Sequence, residues 1–156
     1  NKENAFALER ARKHNIEAIF LDAKNKTRLQ YTKELTGILK EKKIDLVCLA
    51  GFMLILDEYI FEDTNFGGKI LNIHPALLPK YGGVGMYGIR VHKAVFENGE
   101  KISGATVHFV TKDCDEGPII LQKKVDISEC KNPEEIAKKV LDVEHDVYPE
   151  AVKKFL

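Results

Sequence analysis

Asn72 and His74 stand one residue apart in "LNIHPALLPKYGGVGMYG", the stretch from Leu71 to Gly88. Side chains two apart on a β-strand project from the same face, so the pair points together while Ile73 packs behind. Pro75 has no N–H to extend a ladder, and the segment ends there. Ligands of open α/β sheets bind beyond the carboxyl ends of strands. A carboxamide donor beside an imidazole suits acyl transfer: the amide steadies a developing oxyanion while the imidazole moves a proton. The plainer reading is a core histidine beside a structural asparagine. A third element is the turn "TKDCDEGP", Thr111 to Pro118, with the acids Asp113 and Asp115. A carboxylate brought near an imidazole favours its protonated form. That role requires the turn to fold over the strand of His74; otherwise it is a solvated acidic turn.

The remaining histidines carry weaker signals. His108 alternates with Thr106 in "TVHFV" and reads as a brace for a neighbouring strand or loop, while His14, His92 and His145 have no assignment. No His, Cys and Asp combination has metal-ligand spacing. "GVGMYG", Gly83 to Gly88, matches G-x-G-x-x-G, but "PALLPKY" precedes it where a dinucleotide site needs a strand. Its glycines instead read as a loop that lets backbone approach a ligand.

These residues must be positioned by alternating strands and helices. Asn4 is placed to cap a helix over 5–14, followed by a strand in "IEAIFL", 16–21, and a second helix over 28–42 with Tyr31, Leu35, Ile38 and Leu39 on one side. "DLVCLAGF", 45–52, is a continuous apolar run as in a strand covered on both faces, with Cys48 as a core filler. "KILNIH" is the next strand, then a helix over 89–97, then strands in "SGATVHFVT" and "PIILQKKVDI". A last helix begins at Pro133, capped by Asn132. The pattern predicts an α/β fold, mostly parallel with a mixed C-terminal part, in a single domain over 1–156.

Composition narrows the function classes. The 156 residues carry 24 Lys plus Arg against 24 Asp plus Glu, so no basic field favours nucleic acid or an anionic membrane. No apolar run is long enough to span a bilayer. Three widely spaced cysteines, Cys48, Cys114 and Cys130, argue against a disulfide framework and for a reducing, cytoplasmic compartment.

"LNIHPALLPKY" followed by "SGATVHFVTKDCDEGPIILQ" resembles the phosphoribosylglycinamide formyltransferase family of purine biosynthesis, and the similarity extends through "NKENAFALERARKHNI", "DLVCLAGFM" and "EHDVYP". The resemblance implies a Rossmann-like formyltransferase fold. It implies transfer of a formyl group from 10-formyltetrahydrofolate, as co-substrate, to the amine of glycinamide ribonucleotide, with no metal. It implies Asn72, His74 and Asp115 as the catalytic set, Asp115 being the aspartate that matches the family's Gly-Pro turn and Asp113 the runner-up. Folate contacts carry over to Arg28, to Met53, Leu54, Ile55 and Leu56, and to Asn72, Thr111 and Asp115; Glu144 matches a substrate-binding residue. The plain alternatives are a solvated first-turn charge for Arg28 and an exposed helix carboxylate for Glu144.

Three departures qualify the resemblance. Leu54 stands where relatives often have Arg, which removes a charged contact. The glycine loop is longer than in many relatives. Relatives also begin with a strand, a glycine-rich loop and a helix that grip the ribonucleotide phosphate, whereas this sequence opens on a helix. The expectation is therefore an N-terminally truncated chain with the catalytic half present, binding ribonucleotide poorly. Formyltetrahydrofolate deformylase shares the Asn-x-His logic but has a second His where Pro75 stands. Methionyl-tRNA formyltransferase needs a further nucleic-acid-binding domain. An inactive remnant binding folate or a partner subunit is the non-enzymatic alternative.

Overall fold

A computed structural model describes residues 1–63 and 65–156, which form two compact units, Asn1–Ile44 and Asp45–Leu156. The first holds two helices, α1 (Phe6–Lys13) and α2 (Arg28–Glu41). The N-cap of α1 is Ala5 with no side-chain bond, so the expected Asn4 cap is corrected: Ala5 already sits in the extended cap conformation and its carbonyl takes the Leu8 N–H. Asn15 ends the helix at φ 57°, where asparagine is tolerated better than most residues. α2 starts as its sequence dictates. The Thr27 side chain accepts from the Gln30 N–H and the Gln30 side chain accepts from the Thr27 N–H, a closed capping box. Its buried residues are Tyr31, Thr32 and Thr36, with Leu35, Ile38 and Leu39 half-buried beside them.

Residues 16–21 are not a strand, contrary to the sequence reading. A strand exists only through a partner, and among the described residues none pairs with this segment. Ile16 and Ile19 are accordingly exposed, although Leu21 is buried.

The second unit contains a four-stranded sheet in the order β1 (Val47–Leu49), β2 (Ile70–His74), β3 (Ile102–Phe109), β4 (Ile119–Asp126). The sheet is mixed, with the antiparallel part C-terminal as expected, but among the described strands only β1 and β2 are parallel, while β2–β3 and β3–β4 are antiparallel. Only three residues of the apolar run 45–52 enter the ladder, at the sheet's edge. Cys48 there is exposed and not a core filler, because Val47 and Leu49 take the more buried face. A short helix that the sequence did not announce, α3 (Tyr59–Glu62), buries Ile60. α4 (Ile89–Glu97) and α5 (Pro133–Val152) follow β2 and β4. The Asn132 side chain accepts from the Glu135 N–H at 2.9 Å, with Pro133 at the first helical position.

α5 buries Ile136, Val140, Val143, Val147 and Ala151, a single stripe spaced by three or four residues. With Leu71, Ile73, Val95, Ala105, Val107 and Ile127 they form the core cluster. The sheet thus has one face committed to the core. Alternation leaves Asn72 and His74 of β2, with Thr106 and His108 of β3, on the other. The register pairs Asn72 with His108 and His74 with Thr106.

Thr106 then builds the turn that follows β2. Its hydroxyl donates to the Ala76 carbonyl at 2.6 Å and accepts from the Leu78 N–H at 3.1 Å and the Gln122 side chain at 2.8 Å. Gln122 also donates to the Leu78 carbonyl at 3.1 Å. Thr106 is fully buried, so Thr106→Val orphans groups that water cannot reach. The variant should lose about 1–3 kcal/mol of unfolding free energy in urea titrations. Unchanged stability would mean that the turn is held by packing alone.

Candidate active site

β2 and β3 bring four polar side chains to one patch, and the loop after β3 folds back onto it. The Asp115 carboxylate reaches both imidazoles: Oδ2 lies 3.4 Å from Nδ1 of His74 and Oδ1 lies 3.6 Å from Nε2 of His108. Its Oδ2 also accepts the Gly83 N–H at 3.0 Å. The acidic turn therefore closes over the strand of His74. Asp113 does not share the position of Asp115: it is exposed and lends its carbonyl to the Thr111 hydroxyl at 3.2 Å.

Two glycines make the closure possible. A Cβ on Gly117 would lie 1.8 Å from the Phe109 carbonyl oxygen, so no other residue lets the loop return so tightly. Gly83 has φ 94°, a backbone that side chains resist, and this turns its N–H to the carboxylate. The G-x-G-x-x-G match thus devotes its first amide to an internal acid.

Hydrogen-bond chemistry fixes the histidine tautomers. Nδ1 of His108 lies 2.8 Å from the Phe109 carbonyl oxygen, which can only accept, so Nδ1 carries the proton. Its Nε2 is then free to accept from the Asn72 carboxamide at 3.2 Å. This orients Asn72, leaving the second proton of its amide nitrogen available. His108 thus braces the neighbouring strand by orienting the Asn72 carboxamide. The same reasoning puts the proton of neutral His74 on Nε2, 2.7 Å from the Tyr81 carbonyl oxygen. Nδ1, facing Asp115, is left bare.

Burial lowers the pKa of His74 and outweighs the opposing pull of Asp115 and the Tyr81 carbonyl, so the resting imidazole is neutral near pH 7. Burial works against the Asp115 carboxylate too. There the Nε2–H and charge that His108 presents once protonated, the charge of a protonated His74 and the Gly83 N–H win, and the pKa stays below the ordinary carboxylate range. The resting site is a neutral imidazole with a bare Nδ1 facing a carboxylate. His92, unassigned in the sequence, is buried on α4 with Nδ1 unpartnered; burial and then His74 lower its pKa. Glu144, half-buried on α5, has its carboxyl pushed up by burial.

The other expected binding residues are placed less tightly. In the segment after β1, Met53 and Ile55 are exposed, Leu54 is half-buried and Leu56 packs inward. Arg28 opens α2 in the N-terminal unit. Thr111 also lines an open cavity of about 580 Å³ with Phe61, Glu62, Gly68, Phe109 and Lys112. None of Asn72, His74 or Asp115 lines it, so this hollow neighbours the polar cluster without containing it. Among the described residues no group of three or more His, Cys, Asp or Glu could hold a metal ion, and no helix is long and apolar enough to cross a membrane.

A fold with Asn-x-His at a strand end and an aspartate returned to it defines a class of protein. The family model "Formyl transferase" matches residues 1–152, and the chain belongs to the formyl transferase family. It is 40% identical over 156 residues to the phosphoribosylglycinamide formyltransferase of Escherichia coli strain K12, a match covering 99% of this chain and 70% of that protein. It is 42% identical over 154 residues to the chloroplastic phosphoribosylglycinamide formyltransferase of Arabidopsis thaliana, covering 97% of this chain and 52% of the relative. The chain thus spans about half the length of the plant relative. The crystal structure of glycinamide ribonucleotide transformylase 1 from Symbiobacterium toebii superposes with a TM-score of 0.90 at 39% identity, covering 99% of this chain and 70% of that one.

The tautomers and burial carry a stability consequence. Because the native pKa of His74 and His92 is depressed, the unfolded chain binds more protons than the folded one as pH drops through the ordinary histidine value of about 6.5. Stability should therefore fall between about pH 7 and 5 in urea titrations, and His74→Gln should flatten that fall. Asp115 adds a further loss only at more acidic pH, as its depressed pKa is approached. Equal stability at pH 7 and 5 would contradict the neutral buried assignment.

Proposed function

We propose that this chain transfers a formyl group from 10-formyltetrahydrofolate to the amine of glycinamide ribonucleotide in purine biosynthesis. The observation that carries the reading is the Asp115 carboxylate 3.4 Å from Nδ1 of His74, beside an Asn72 amide oriented by His108. The names of the similar enzymes, whose matches cover nearly all of this chain, support it.

In this mechanism the amine attacks the formyl carbon and the carbonyl oxygen gathers charge. Asn72 donates its second amide proton to that oxygen. The bare Nδ1 of His74 accepts the proton shed by the attacking nitrogen, and the imidazolium so formed is held by Asp115. When the bond to the folate nitrogen breaks, His74 returns the proton to that leaving nitrogen. One C–N bond forms, one breaks and the proton is conserved, so no oxidant, reductant or metal is required. Thr111 to Asp115 and Met53 to Leu56 take the folate, and Glu144 the acceptor end. The cytoplasm is the proposed compartment, consistent with the three free cysteines.

Asp115→Asn keeps the shape of the side chain and removes the charge opposite the imidazolium. It should lower kcat for formyl transfer by about 10²–10⁴-fold while changing the dissociation constant of a folate ligand little. His74→Ala should abolish most transfer. Assays with and without glycinamide ribonucleotide separate transfer from formyl hydrolysis. If folded wild-type protein hydrolyses formyl-folate equally fast without the amine, the transferase reading is lost. If Asp115→Asn keeps its kcat, the imidazolium is stabilised elsewhere.

A further inference from the structure

The site as described leaves open what holds His74 in its tautomer. The carboxylate does not: at 3.4 Å and with Nδ1 bare, Asp115 is beyond the reach of a strong hydrogen bond. The short contact is Nε2–H to the Tyr81 carbonyl, 2.7 Å. That carbonyl points at the ring because Tyr81 has φ 59°, a left-handed backbone that costs an aromatic residue roughly 1–2 kcal/mol. Something must hold it there.

The side chain of Tyr81 supplies the anchor. Its hydroxyl donates to Oε1 of Glu100 at 2.9 Å, and the same oxygen takes Lys80 Nζ at 3.0 Å. Glu100 follows the Asn98–Gly99 turn closing α4, with its own N–H bonded to the Val95 carbonyl, so the anchor point belongs to a rigid element. Gly83, two residues past Tyr81, is the donor to Asp115. One short turn thus holds the imidazole from one side and the carboxylate from the other.

We propose that Glu100 and the Tyr81 hydroxyl are positioning residues: by pinning Tyr81 in its left-handed conformation they fix the proton of His74 on Nε2 and leave Nδ1 as the nitrogen that exchanges protons. This rests on the formyl-transfer reading for its catalytic consequence, but not for the tautomer itself. The charged or titratable groups around His74 are Asp115 from the returning loop, His108 from β3 and His92 from α4. A change at Tyr81 or Glu100 substitutes none of them and reaches Asp115 only through the Gly83 N–H of the same turn.

The test uses Tyr81→Phe, which removes only the hydroxyl, with Glu100→Ala and Glu100→Gln. Nitrogen NMR of labelled histidine reads the His74 tautomer and pKa, and steady-state assays read kcat and KM. Wild type should show the Nε2–H form. Tyr81→Phe and Glu100→Ala should each mix the tautomers and lower the His74 pKa further, since a carbonyl acceptor favours the protonated ring. They should lower kcat roughly tenfold with KM for the formyl donor within about twofold. The double variant should be no worse than either single one, and Glu100→Gln, which keeps an acceptor for the hydroxyl, should restore most of the loss. Unchanged tautomer and pKa in both Tyr81→Phe and Glu100→Ala would overturn the proposal even if the chain transfers formyl groups. Altered tautomers in a chain that transfers none would uphold the clamp and sink the reaction.

Discussion

A desolvated carboxylate must be matched or it takes up a proton, and around Asp115 that requirement organises the site. The side chain is mostly removed from water, yet its pKa is held down by two imidazoles, once these are protonated, and by the backbone N–H of Gly83. Those partners arrive from three segments: β2, β3 and the loop after Pro79. Each segment must be correctly placed for the charge to be tolerated there. The demand reaches the backbone too. Asp115 has φ 59°, and the loop bearing it returns only because Gly117 lets two chain segments approach within a distance no Cβ would permit.

The two strands divide labour by simple alternation. On β2, Leu71 and Ile73 face the α5 stripe while Asn72 and His74 face the site. On β3, Ala105 and Val107 do the first job and Thr106 and His108 the second. Pairing Asn72 with His108 and His74 with Thr106 then sets an oxyanion donor beside the ring that orients it, and a proton carrier beside the hydroxyl that builds its turn. A slip of one residue would bury all four polar groups in the core and expose the apolar ones. Core packing therefore enforces the register on which the site depends.

How much of this the sequence disclosed follows the range of the interactions. Asn72 and His74 were legible because a period of two is local. The cap at Asn132 is local as well, and the helices from 28, over 89–97 and from 133 fall where spacing put them, although the equally local cap expected at Asn4 does not form. Residues 16–21 were misread because a strand needs a partner that no local pattern supplies, and Cys48 because an apolar run does not reveal that its strand lies at an edge. Composition could not choose between Asp113 and Asp115; the resemblance favoured Asp115, and the fold of the loop brings it to the imidazole. The roles of His108 and Glu100 were hidden for the same reason. One acts through a cross-strand neighbour 36 residues earlier, the other through a hydroxyl 19 residues earlier.

The resting protonation states also bear on the direction of the proposed chemistry. Had His74 been charged at rest, Nδ1 would already hold a proton and the attacking amine would have nowhere to leave its own. Burial prevents that by depressing the pKa of the free ring. Once Nδ1 accepts the proton, Asp115 lies close enough to stabilise the imidazolium and the Tyr81 carbonyl keeps accepting at Nε2. The cluster thus disfavours charge on the resting ring overall, while Asp115 and the Tyr81 carbonyl limit that cost once the proton has arrived. In a transfer that ends with the proton on the leaving nitrogen, that arrangement lets a single imidazole act first as base and then as acid, with its depressed pKa easing the second step.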